Sequence, residues 1–172
     1  ILGTAMIKGK IHRYGDNIDT DVIIPARYCT AFTEAELAPH CLEDLDAQFV
    51  KKVKKGDLIV AGRNFGCGSS RENAPIAIRG AGVSCVIATS FARIFYRNSI
   101  NIGLPIFECE AAVEDAKDGD EMRVDPSTGV IENLTRKKSY NVPPFPDIIQ
   151  EIISAGGMVE FARKRIRQQQ RP

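Results

Sequence analysis

The sequence predicts an α/β domain with a mostly parallel core sheet and a short antiparallel meander. Two observations carry that prediction. Three short apolar runs, at 57–61, 84–89 and 105–107, are separated by stretches whose apolar residues recur at helical spacing. A strand–helix–strand–helix–strand order of this kind requires parallel strands joined by crossover helices. Further along, Asp125-Pro126-Ser127-Thr128-Gly129 is a strong turn signal between two short strand-like pieces. With 172 residues, 44% of them hydrophobic, the chain has the size and apolar content for one core. Residues 6–167 are read as that single domain. Residues 1–5, before Met6, are read as a leader or remnant, and 168–172 as a tail.

Taken in order, Met6 to Tyr14 alternates apolar and polar residues and reads as a half-buried strand. Gly15 to Asp21 is a loop dense in turn formers and carboxylates. Val22-Ile23-Ile24-Pro25 is apolar, but its proline argues against a central strand. Ala26 to Thr33 has no clear period. Thr33 is placed to cap a short helix at Glu34–Leu37. Phe49 to Val53 is a short amphipathic piece. Asp57 to Ala61 reads as a buried strand, Ala74 to Gly80 as a helix, and Ser84 to Thr89 as a second buried strand. Ser90 is expected to cap a helix over Phe91–Asn98. Pro105 to Phe107 is a third strand. Glu121–Val124, Val130–Leu134 and Lys138–Val142 make the meander. Pro146–Ala155 and Met158–Arg167 are helices broken at Gly156-Gly157.

Bulk properties exclude several functions. Charged residues are 26% and nearly balanced, at a formal net charge of +1, so a nucleic-acid-binding surface is not expected. The basic cluster Arg163 to Arg167 suits a solvated helix end. Five cysteines at wide spacings show no Cys-x-x-Cys or Cys/His pattern, so reduced thiols in a cytoplasmic protein are expected, and no metal site. Cys85, inside an apolar run, reads as a small core residue. No apolar run approaches the roughly 20 residues of a membrane span.

The most informative stretch is Gly62 to Asn73, between the 57–61 strand and the next helix. It carries three glycines, Ser69, Ser70, Arg63 and Arg71. Glycines let backbone approach a ligand, and a helix start offers free N–H groups, so an anion is expected at Ser69-Ser70-Arg71. Taken alone, the triplet fits helix capping as well. Two hydroxyls plus a guanidinium suited to gripping a carboxylate favour a ligand. The dinucleotide, Walker and nucleophile-elbow patterns all fail here, which points to a small carboxylate.

Asp19, Thr20 and Asp21 form a second candidate, either as a turn or as carboxylates that orient a partner. Asp16, Asp19 and Asp21 have the oxygen ligands of a cation site but lack the Gly and Glu of a calcium loop. His12 and His40 read as a strand residue and a connection residue, and neither supports a triad. Arg93 and Arg97, four apart on one helix face, read as salt-bridge partners, and Arg63 and Arg79 as surface or pairing residues.

Three blocks together resemble the small subunits of the aconitase family, and most closely the isopropylmalate dehydratase branch. They are Asp16-Asn17-Ile18-Asp19-Thr20-Asp21 through Pro25, Gly62 through Glu72, and Ser90-Phe91-Ala92-Arg93-Ile94-Phe95. The resemblance covers roughly residues 6 to 165. It implies a swivelling β/β/α domain docked over a large subunit, which carries a 4Fe–4S cluster through its own cysteines. It implies dehydration and rehydration of a malate-type hydroxy acid in leucine biosynthesis. Ser69 would be the base, supported by N–H donors of the helix start and a cation. Ser70 and Arg71 would hold a substrate carboxylate, with Thr20 also at the substrate. Asp21 would be the active-site aspartate.

The resemblance also marks Tyr28-Cys29-Thr30-Ala31-Phe32-Thr33 as the substrate-specificity loop. Homoaconitase relatives carry Arg where this chain has Thr30. A tricarboxylate therefore loses its partner, and an apolar or small substituent is expected. Dimethylmalate, citramalate and homoaconitate relatives remain open at this point, as does a carboxylate-binding regulatory module that needs no large subunit. An RNA-binding role is disfavoured by the balanced charge.

Overall fold

The computed structural model describes residues 5–170. Most of the leader read at 1–5, and the last two residues of the expected tail, lie outside them. Seven strands form one sheet in the order β4-β3-β2-β1-β5-β6-β7. The pivot is β1 (Ile7–Arg13). Its first half pairs antiparallel with β5 (Glu121–Asp125), and its second half pairs parallel with β2 (Leu58–Ala61). Parallel pairing continues through β3 (Cys85–Ala88) to β4 (Ile106–Glu108). On the other side β6 (Val130–Asn133) and β7 (Lys138–Asn141) complete the meander. The expected parallel core and antiparallel meander are thus two halves of one sheet, joined through β1.

Burial explains why the two halves read differently in sequence. Every residue of β2 and β3 is buried, as befits parallel strands covered on both faces. In β5 and β6 the burial alternates, so one face is solvated. Cys85 is a fully buried core residue, as expected.

The helices are α1 (Thr20–Ile23), α2 (Glu34–Leu37), α3 (Phe49–Lys52), α4 (Asn73–Gly80), α5 (Arg93–Asn101), α6 (Glu110–Asp115), α7 (Asp147–Ala155) and α8 (Met158–Gln169). Thr33 caps α2 in a reciprocal capping box with Glu36. Gly156, at φ 93°, ends α7 where the break was read. In α8 the basic cluster is exposed, and the helix continues to Gln169, beyond Arg167.

Four local readings are corrected. The loop read at 15–21 gives way at Thr20 to a single helical turn, because Asp19 Oδ1 accepts from Val22 N at 2.8 Å and caps it, and the piece 22–25 forms no strand, in keeping with its proline. α6 was not foreseen, since six residues are too few to show a period. Ser90 does not cap α5, which starts at Arg93 after Ala92. Instead Ser90 and Ala92 pair with Phe65 through backbone bonds of 3.0 Å each, and Ser90 Oγ accepts from Asn64 N at 2.8 Å. Asn64 sits at φ 57°, a left-handed turn whose N–H needs that acceptor.

The fourth correction concerns the anion site. Ser69 and Ser70 are not at the start of α4. The helix begins at Asn73, and Glu72 precedes it without a side-chain cap. Pro75 is the reason. It is tolerated in a first helical turn, but a helix reaching back to Arg71 would set its ring against the Arg71 carbonyl. Ser69 to Arg71 therefore lie on an irregular loop.

Candidate active site

The loop is shaped by Gly66 and Gly68, at φ 79° and 96°. A Cβ on Gly66 would lie 2.1 Å from Phe95 Cγ, so α5 packs directly against bare backbone there. Gly66 N donates to Ile18 O at 2.7 Å, and Thr20 N donates to Cys67 O at 2.8 Å. The segment 18–20 is thereby stitched to 66–67, and two blocks far apart in sequence meet at the carboxyl ends of β1 and β2.

At this corner Thr20 is buried, at 1% exposure, while Ser69 and Ser70 face solvent. Ser69 N donates to Thr20 Oγ1 at 3.1 Å. The two hydroxyl oxygens are also 3.1 Å apart. Arg71 Nε donates to Ser69 Oγ at 2.7 Å, and Arg71 Nη2 donates to Asp21 Oδ1. Ser69 Oγ thus sits between a guanidinium N–H and a buried hydroxyl. Among the described residues no N–H of the α4 start donates to it, and its hydrogen-bond partners are Arg71 and Thr20.

Arg71 presents one edge inward, to Ser69 and Asp21. Among the described residues its Nη1 has no hydrogen-bond partner, which leaves an Nη1/Nη2 edge for an incoming carboxylate. Asp21, 60% exposed at its side chain, is tied to Arg71 and orients it. Asp19 caps α1 through Oδ1. Ser70 O accepts from Asn98 Nδ2 at 3.1 Å, which ties the loop to α5.

The loop Tyr28–Thr33 is anchored at both ends. Tyr28 stacks on His40 at 3.8 Å between ring centroids and donates its hydroxyl to Glu43. Thr33 is held by the capping box. Between them Cys29, Thr30 and Phe32 are exposed, Phe32 at 70%. Asn73 Nδ2 donates to Ala31 O, which fastens the middle of the loop to the start of α4. Asn73 was not singled out in the sequence, because its burial, at 6% exposure, shows only once the chain is folded.

The other candidates sit elsewhere. His12 Nε2 contacts Asp57 Oδ2 at 2.9 Å, in the core. His40 Nδ1 contacts Glu43 at 2.8 Å, so neither histidine has a nucleophile beside it. Arg63 pairs with Glu110 and Arg79 with Glu34. Contrary to expectation, Arg93 and Arg97 form no ion pair among the described residues. They line a surface cavity of about 470 Å³ with Tyr96, Ile100 and Met158. That cavity does not include Ser69, Ser70 or Arg71.

Burial, and secondarily the charge of Asp19, pushes the Cys67 thiol up. Burial also raises Cys41 and Cys85. Among the described residues no three His, Cys, Asp or Glu side chains converge as a metal site. No helix among these residues is long and apolar enough to cross a membrane.

The chain is similar to known proteins over most of its length. Residues 10–110 match the family described as the aconitase C-terminal domain. A 3-isopropylmalate dehydratase small subunit from Caldicellulosiruptor saccharolyticus is 64% identical over 162 residues, 94% of this chain and 94% of that protein. One from Clostridium beijerinckii is 60% identical, covering 92% of this chain and 99% of that one. The crystal structure of 3-isopropylmalate dehydratase from Methanocaldococcus jannaschii superposes with a TM-score of 0.89 at 46% identity, over 96% of this chain and 98% of that one.

Proposed function

Because the chain belongs to the 3-isopropylmalate dehydratase small subunits, a branch of the aconitase family, we propose that its Ser69–Arg71 corner is this subunit's half of the active site. The enzyme is a hydro-lyase that interconverts 2- and 3-isopropylmalate by dehydration and rehydration, a step of leucine biosynthesis. As a small subunit, the chain acts with a large one. Residues 6–167 work as one swivelling domain over that partner. Five unpaired thiols suit a reducing cytoplasm.

The observation that carries the reading is the environment of Ser69 Oγ, 2.7 Å from Arg71 Nε and 3.1 Å from Thr20 Oγ1. A serine hydroxyl is a weak base unless its alkoxide is stabilised. Arg71 donates a charge-assisted hydrogen bond to that oxygen. Thr20 accepts from Ser69 N and keeps its own proton to donate. Both donors are already in place where negative charge develops, which is preorganised electrostatic stabilisation. Ser69 then takes the proton from the substrate carbon beside the one that loses its hydroxyl, and returns it on rehydration. Ser70 and the outer edge of Arg71 hold a substrate carboxylate, and Asp21 keeps the guanidinium in plane. Thr30 leaves the substituent pocket without a cation, which suits an isopropyl group.

A 4Fe–4S cluster on the large subunit would supply Lewis-acid help to the departing hydroxyl. The test is reconstitution. The isolated chain should show no turnover, and mixing with a cluster-bearing large subunit should give conversion of 3-isopropylmalate. Tight substrate binding by the isolated chain, with no turnover in the complex, would refute the reading.

A further inference from the structure

We propose that Asn73 is a positioning residue that sets substrate selection, by fixing the 28–33 loop against the serine corner. The proposal rests on the reading of Ser69–Arg71 as the reacting corner and of 28–33 as the substrate-specificity loop, and it concerns a residue outside the substrate-facing set.

Asn73 is the first residue of α4 and is 6% exposed. Two residues before it lies Arg71, which contacts Ser69 and Asp21. Its own amide donates to Ala31 O, across 42 positions of sequence. The same helix is fastened at its other end, where Arg79 pairs with Glu34 of α2, directly after the loop. Gly80 packs so closely that a Cβ there would lie 3.0 Å from Glu34 O. One short rigid element therefore carries both the reacting corner and the loop, and Asn73 is the link nearest to both. Within the loop the hydrogen bond falls on the residue after Thr30. Local bonds also hold that backbone, Ala31 N to Tyr28 O at 3.0 Å and Phe32 N to Glu36 Oε2 at 3.3 Å, and the Asn73 bond is what ties it to α4. A shift of even an ångström between reacting group and substituent pocket is costly to productive binding.

The test compares Asn73→Ala with Asn73→Asp in the reconstituted holoenzyme. Aspartate has the same shape and suits a helix start, so it retains α4 while its carboxylate cannot donate to Ala31 O. The expected result in both variants is a KM for 3-isopropylmalate raised about tenfold with little change in kcat. Discrimination against malates with smaller substituents should fall by a similar factor. In the isolated subunit, amide hydrogen exchange at 29–33 should rise about tenfold, with the β2 and β3 amides unchanged. Unchanged KM and discrimination in Asn73→Asp, an equal fall in kcat for every substrate, or unchanged loop exchange would each overturn the proposal. A wild-type complex without turnover would instead defeat the reading of the corner, and the exchange measurement would still decide the loop tie.

Discussion

Thr20 Oγ1 and Ser69 Oγ lie 3.1 Å apart, although 49 positions separate them in the chain. Only Thr20 is buried, so the relationship is one of support to presented group. Ser69→Ala in the reconstituted enzyme should lower kcat by roughly 10²–10⁴-fold, the usual range for a lost general base. The melting temperature should stay close to wild type, since an exposed hydroxyl contributes little to folding. Steady-state kinetics and a thermal melt check both.

Thr20→Val keeps the shape and removes the hydroxyl. It should cost about 1–3 kcal/mol of stability, because Ser69 N loses its acceptor at a partly buried site. It should also reduce kcat by about tenfold, through loss of one donor to Ser69 Oγ. Denaturant titration and kinetics separate the two effects.

Arg71→Lys should be far from conservative. The guanidinium reaches Ser69 through Nε and Asp21 through Nη2 at once, and an ammonium cannot reproduce that planar fork. A fall in kcat/KM of about 10²-fold is expected, measured on the reconstituted complex. Asp21→Asn, which keeps the shape, should cost less.

Gly66→Ala should destabilise the fold by about 2–4 kcal/mol, from a left-handed backbone at φ 79° and a direct clash with Phe95. Urea unfolding of the isolated chain measures it.

Asp57 contributes to acid stability, as do other lowered carboxylates such as Asp120. Burial by itself would raise its carboxyl, but hydrogen bonds from Lys54 N, His12 and Lys10 N outweigh burial and hold it below its ordinary value. A lowered folded pKa means that its contribution is fully present above the unfolded carboxylate value of about 4. That contribution is lost as pH falls from there through the folded value. Asp57→Asn should lose about 2–4 kcal/mol at neutral pH, because three converging donors lose their anion. It should also flatten the acid limb of a stability-against-pH curve.

The sequence by itself determined the parallel core, the meander and most helices. Continuous burial in β2 and β3 and alternation in β5 and β6 are local patterns, visible in the residue order. It also singled out Ser69, Arg71, Thr20 and Asp21, because glycines and chemically apt side chains cluster at those positions. It placed the start of α4 within one residue, but it misassigned Ser90 as a cap. Only the tertiary structure decided what supports Ser69. Helix N–H groups were expected, and Thr20 and Arg71 were found, because pairing of segment 18–20 with 66–67 depends on the order of β1 and β2 in the sheet. The tie from Asn73 to Ala31 has the same origin. Hydrogen bonds within a turn or helix follow from nearby residues, but bonds across 42 or 49 positions exist only once the strands are placed.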